Sequence, residues 1–183
     1  NACGQKLAPR DLVPVLSQLI NRLRCRFCQS KIPIRYLVLE IAIGSLFLAT
    51  SMGYLNIGQL VLLVMGITLS LYDQREQEYP LLIWLFFHFL LLFLTGFNLL
   101  MISFLTLGIV AFFFDLRIGA GDFLFLASCS TVFKLTEILW LIQIASLAGL
   151  CLFCLKKRKD RIAFVPCLLI GVIVLLLCEL LLQ

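Results

Sequence analysis

The residues with the most chemical potential in this chain are two aspartates, Asp73 and Asp122. Each stands where a long apolar run meets a short polar break. Asp73 closes one run and is followed by six residues and Pro80; Asp122 ends the stretch Gly119-Ala120-Gly121-Asp122 and opens another run. A carboxylate at the mouth of a membrane helix is costly to place and usually serves a function. Two carboxyls brought together share a proton. The ionised one takes a proton from water while the neutral one polarises a carbonyl, which is the chemistry of amide hydrolysis. Like charges about 3 Å apart cannot both ionise, so the titration belongs to the pair. Gly119 and Gly121 are expected to give the backbone unusual conformations and to let another chain come close. The plainer alternative is that both aspartates cap helices or pair with Arg75 and Arg117. Asp115 competes for the second place in the dyad, but it lies nearer Arg117 without preceding glycines and reads as a surface charge. Glu76 and Glu78, just after Asp73, are solvated or attract a basic substrate segment.

The cysteines are the second set of candidates. Of the eight, Cys129, Cys151, Cys154, Cys167 and Cys178 lie in apolar runs, where Cys behaves as a small hydrophobe. Cys151 and Cys154 are expected to pack between helices. Cys3, Cys25 and Cys28 lie in a basic segment instead. A reducing compartment argues against disulfides there, and thiolates with a fourth ligand suit structural Zn2+. Such a metal would fold a segment too polar to fold alone; the alternative is thiols without metal. His88, the one histidine, lies mid-run and is expected to be buried and hydrogen-bonded rather than catalytic. Glu40, also inside a run, is expected to meet a cation.

What must position these groups is a set of membrane helices. The chain is 62% hydrophobic and 14% charged, with a mean hydropathy of +1.09. Soluble domains are nearer half apolar and a quarter charged. The fold class is therefore an all-α polytopic membrane protein. Residues 1–35 form a polar, basic, cysteine-bearing loop, and residues 36–183 a transmembrane domain. Within the loop, Leu12 to Ile20 is apolar enough for a short interfacial or packed helix. Seven apolar runs follow, at about 36–54, 57–72, 80–95, 99–114, 122–133, 138–155 and 162–182. An eighth helix is expected before Asn1, because the chain opens as if in mid-loop. A span needs about 17–25 residues, and runs two to five are at or below that limit.

Charge sets the orientation. If the first 35 residues face the cytoplasm and all seven runs cross, fourteen of the fifteen Lys and Arg residues lie on the cytoplasmic side, Lys134 being the exception. That bias orients a membrane protein, and it puts Asp73 and Asp122 on the same face. The net charge of +5 reads as orientation in a bilayer, not as a nucleic-acid surface.

These residues resemble a family. Gly119-Ala120-Gly121-Asp122 is similar to the GxGD motif of membrane aspartyl proteases. Asp73, six residues and Pro80 resemble the first-aspartate motif of type IV prepilin peptidases. The early loop, with Cys3, Asp11 to Ser17, Cys25-Arg26-Phe27-Cys28, Arg35-Tyr36 and Glu40, is similar to that family's cysteine loop over its whole length. Arg161 to Pro166 resembles its last loop-to-helix junction. The short form looks closest to the Gram-positive competence versions. The resemblance implies an aspartyl endopeptidase in the cytoplasmic membrane, its site facing the cytoplasm. It implies removal of a short basic leader, after a glycine, from type IV prepilins or competence pseudopilins. Many members also N-methylate the new terminus with S-adenosylmethionine. It further implies Asp73 and Asp122 as the catalytic pair, Gly119, Gly121 and Glu40 around them, and Cys3, Cys25 and Cys28 as metal ligands. There are two departures. The partner of Cys3 in a first Cys-x-x-Cys would precede Asn1, and Leu124 stands where many members have Lys.

Two other readings compete. One is a presenilin-like intramembrane protease, although the Pro-Ala-Leu motif near its last helix is missing. The other is a transporter or membrane scaffold whose aspartates bind protons or cations and whose cysteines hold zinc.

Overall fold

The structure, a computed structural model, describes residues 4, 13–76, 79–114, 119–155 and 163–181. Cys3, Glu78, Asp115, Arg117 and the basic stretch 156–162 lie outside the described residues, as do the side chains of Arg75 and Glu76. Among the described residues there are eight helices and no strand, and two compact units, Asn1–Leu55 and Asn56–Gln183.

The first unit holds α1 (Leu16–Ile20) and α2 (Ile34–Ser51). The helix α1 starts later than its apolar stretch because Val15, with a φ of 62°, lies outside the helical region just after Pro14. Between the two helices, an antiparallel bridge pairs Arg24 with Lys31 and closes a small hairpin around Cys25 and Cys28. No residue of α2 is buried, and Val38, Ile41, Phe47 and Leu48 are all exposed. An apolar helix surface of this kind suits lipid, not water. Where a cation is expected at Glu40, its Oε2 instead accepts the backbone N–H of Val15 at 2.6 Å, which ties the turn before α1 to α2.

The second unit contains α3 (Ile57–Glu76), α4 (Leu81–Thr95), α5 (Leu99–Phe113), α6 (Ala120–Cys129), α7 (Leu135–Leu155) and α8 (Val165–Leu181). Local chemistry sets several of the breaks. Asn56 and Gln59 form a reciprocal cap on α3, with Gln59 N–H donating to Asn56 Oδ1 at 2.8 Å and Asn56 N–H to Gln59 Oε1 at 2.9 Å. Gly96, with a φ of 84°, ends α4. Asn98 caps α5 through Leu100 N–H, and Glu137 caps α7 by accepting the N–H of Lys134 at 2.7 Å.

The short helix α6 lies in the middle of this unit, packed against α3, α4, α5 and α8. Its residues from Phe125 to Cys129 are all buried, as expected of a helix that is apolar all round. The helix α7 packs on α8, where Gly171 lets the two backbones approach. A Cβ at Gly171 would stand 2.9 Å from the carbonyl oxygen of Leu141. The buried stripe of α7 runs through Ile138, Leu141 and Ala145. Cys151 and Cys154 fall off that stripe and are exposed, so the packing role expected for them is not what the structure gives.

Among the described residues three helices are long and apolar enough to cross a membrane: α2, α3 as far as Gln74, and α7. The other four apolar helices have 10–17 residues. At 1.5 Å per residue, α6 reaches roughly 15 Å, about half a hydrocarbon core.

Candidate active site

Asp73 sits in the last turns of α3, not in a loop after it. No Gly or Pro interrupts the chain between Gly66 and Pro80, so the helix runs on through Glu76. Asp73 Oδ2 accepts the backbone N–H of Val165, the first residue of α8, at 3.2 Å. It therefore satisfies one of the otherwise unpaired donors at the start of another helix.

Asp122 is the third residue of α6, whose N-cap is Gly119. Its N–H donates to the Gly119 carbonyl at 3.0 Å, and its carboxylate folds back over the same residue. A Cβ at Gly119 would lie only 3.2 Å from Asp122 Oδ2. Both carboxylates thus stand at the N-terminus of a helix, one its own and one a neighbour's, where the macrodipole favours negative charge. The helices that carry them, α3 and α6, pack against each other within the second unit.

Of the two uses expected of these glycines, backbone freedom and close approach of another part of the chain, the structure shows the second at Gly121. Neither Gly119 nor Gly121 has a positive φ. What Gly121 provides is space, because the ring of Tyr79 lies on its backbone and any Cβ there would overlap the ring. Tyr79 comes from the short connection between α3 and α4. Its hydroxyl is buried and has no hydrogen-bond partner among the described residues. Burial above all, and then the nearby aspartates, hold the phenol protonated far above its ordinary range. Cys167, in the first turn of α8, is fully buried.

Behind this cluster a buried polar group fixes α6 to α4. Trp84 Nε1 donates to the Leu124 carbonyl and to Ser128 Oγ, both at 3.0 Å. His88 Nδ1 is 2.9 Å from the same Oγ, and its ring stacks on Trp84 with centroids 4.7 Å apart. His88 is buried and hydrogen-bonded, while its Nε2 has no partner. The Leu124 side chain lies near Gly108 of α5, where a Cβ would be 3.3 Å from its Cδ2. An apolar residue suits that contact better than the lysine of the resembled family.

The remaining candidates lie elsewhere. Glu40 belongs to the first unit, bonded as described. Cys25 and Cys28 share the small hairpin, in which Cys25 N–H donates to Ser30 O at 2.8 Å, Gln29 N–H to Cys25 O at 2.9 Å, and Ile32 N–H to Leu23 O at 2.7 Å. Cys28 Sγ lies 3.1 Å from Ser30 Oγ. Two thiols on one tight turn have the donor chemistry for half of a zinc site. Among the described residues no group of three or more metal-binding side chains is assembled. Sequence reasoning gave Tyr79 no role, and it placed Val165 in the Arg161 to Pro166 junction without its bond to Asp73. Tyr79 had a signal, as the one aromatic between Asp73 and Pro80. Val165 acts through its backbone, which side-chain types do not reveal.

Three comparisons bear on this arrangement. The family model for the bacterial Peptidase A24 N-terminal domain matches residues 1–54. A prepilin leader peptidase/N-methyltransferase from Neisseria gonorrhoeae is 29% identical over 184 residues, covering 87% of this chain. The chain spans 63% of that relative's length. No solved structure matches.

Proposed function

We propose that the chain is a membrane aspartyl endopeptidase of the type IV prepilin peptidase family, in which Asp73 and Asp122 form the catalytic pair. What supports this reading is that α3, which carries Asp73, and α6, which carries Asp122, pack in one unit, with the two carboxylates held at the starts of α8 and α6. The ionised carboxylate takes a proton from water, and the resulting hydroxide attacks the peptide carbonyl carbon. The protonated carboxyl hydrogen-bonds the carbonyl oxygen as charge develops there. Collapse of the tetrahedral adduct breaks the C–N bond, and a proton passes from the pair to the leaving nitrogen.

The substrate of this reading is a type IV prepilin or competence pseudopilin, an apolar helix in the bilayer with a short basic leader. Cleavage after a glycine at the cytoplasmic surface of the inner membrane frees the leader without extracting the helix. Glu76 and Glu78, three and five residues beyond Asp73, would attract that leader. Cys25 and Cys28 would hold structural Zn2+ together with Cys3 and a further ligand. N-methylation of the new terminus would use S-adenosylmethionine as methyl donor; no residue of this chain is assigned to that step.

The test is cleavage of a pilin-like reporter by the full-length protein in membranes, read as loss of the leader on a gel. Asp73→Asn and Asp122→Asn should each reduce cleavage by about 10²–10⁴-fold or more. Undiminished cleavage by both variants would falsify the assignment. The same preparations, assayed for zinc before and after Cys25→Ser and Cys28→Ser, report on the metal.

A further inference from the structure

A buried hydroxyl without a partner is uncommon in a folded protein and asks for an explanation. The Tyr79 hydroxyl is such a group, and it lies beside the proposed catalytic pair rather than in an unrelated part of the core. Leaving a buried donor without a partner is costly. The ring itself is well used, packed on the Gly121 backbone one residue before Asp122. A phenylalanine would supply that packing without an orphaned hydroxyl. The hydroxyl is therefore unexplained by the substrate-free fold, and a substrate lying against the pair would bring backbone carbonyls to the same place.

We propose that Tyr79 is a further substrate-contacting residue, its hydroxyl donating a hydrogen bond to a backbone carbonyl of the segment held for cleavage beside Asp73 and Asp122. The inference rests on the peptidase reading of that pair. No bond forms or breaks at Tyr79; the proton stays on the phenol, as its burial and the surrounding negative charges require. Gly121 sets the position of the donor, because only a residue without a side chain lets the ring lie against the start of α6. The second glycine of Gly119-Ala120-Gly121-Asp122 is thereby linked to substrate binding as well as to the placement of Asp122.

The experiment uses the purified full-length protein and a synthetic reporter with a basic leader, a glycine and an apolar helix. It measures kcat/KM and the melting temperature without substrate. Tyr79→Phe is expected to lower kcat/KM by about tenfold or more, one hydrogen bond to the reacting segment being lost. Its melting temperature should be equal to or above that of the wild type, because the unpartnered hydroxyl is gone. Two results overturn the inference: wild-type kcat/KM in Tyr79→Phe, or a loss of activity that accompanies a lowered melting temperature. Asp73→Asn and Asp122→Asn are run alongside. If they are inactive while Tyr79→Phe is unimpaired, only the role of Tyr79 fails. If they remain active, the catalytic pair fails, and the inference with it.

Discussion

At the scale of single residues, the chemistry depends on who stands behind each carboxylate. Asp73 has the backbone N–H of Val165, and Asp122 has the turn at Gly119. Gly121 has the ring of Tyr79 against it, and this contact makes a specific prediction. Gly121→Ala should destabilise the protein by about 1–3 kcal/mol, the usual cost of forcing a methyl into a packed site. The cost should largely vanish in a Tyr79→Ala background, since the atoms that the methyl meets are then absent. A double-mutant cycle of melting temperatures checks this; additive effects would mean that the glycine is needed for something other than the ring. The motif and the close approach it permits are legible in the sequence, but the partner is not: only the fold brings the Tyr79 ring onto Gly121.

At the scale of elements, α6 is the part on which the site depends. It is only ten residues long and is held by its neighbours rather than by its own length. The Trp84, His88 and Ser128 group is the polar part of that hold. Ser128→Ala should leave His88 Nδ1 without its partner, while Trp84 Nε1 keeps the Leu124 carbonyl. The expected loss is about 1–3 kcal/mol, read as a lower melting temperature in detergent. Cleavage should fall with it, because α6 carries Asp122. An unchanged melting temperature would show that apolar packing alone secures the helix. His88 was legible as a buried, hydrogen-bonded residue from its place in an apolar run. Its partner was not, because Ser128 lies 40 positions away and only the packing of α4 on α6 brings them together.

At the scale of the molecule, the distribution of charge makes the claim that can be tested without any substrate. Single cysteines placed in a cysteine-free background at 77, 117 and 159 should be labelled by an impermeant maleimide from the cytoplasmic side only. A cysteine at 134 should be labelled from the other side only. Labelling of 77 and 117 from opposite sides would break the argument for the catalytic pair, since both aspartates would no longer share a face. The short helices sharpen the test. With α4, α5, α6 and α8 all below 18 residues, charge bias rather than span length supports their crossing.

The sequence by itself determined that this is a helical membrane protein and roughly where its apolar helices run, and it singled out the two acids proposed to act together. Those properties follow from composition, from run length and from motifs a few residues long, all of which are local. Only the tertiary structure decided that α3 carries Asp73 onto the first N–H of α8, that Tyr79 covers Gly121, and that Glu40 bonds to the Val15 backbone. Each of these joins residues distant along the chain through backbone groups or the absence of a side chain. Residue type does not encode such contacts; close packing of the helices creates them.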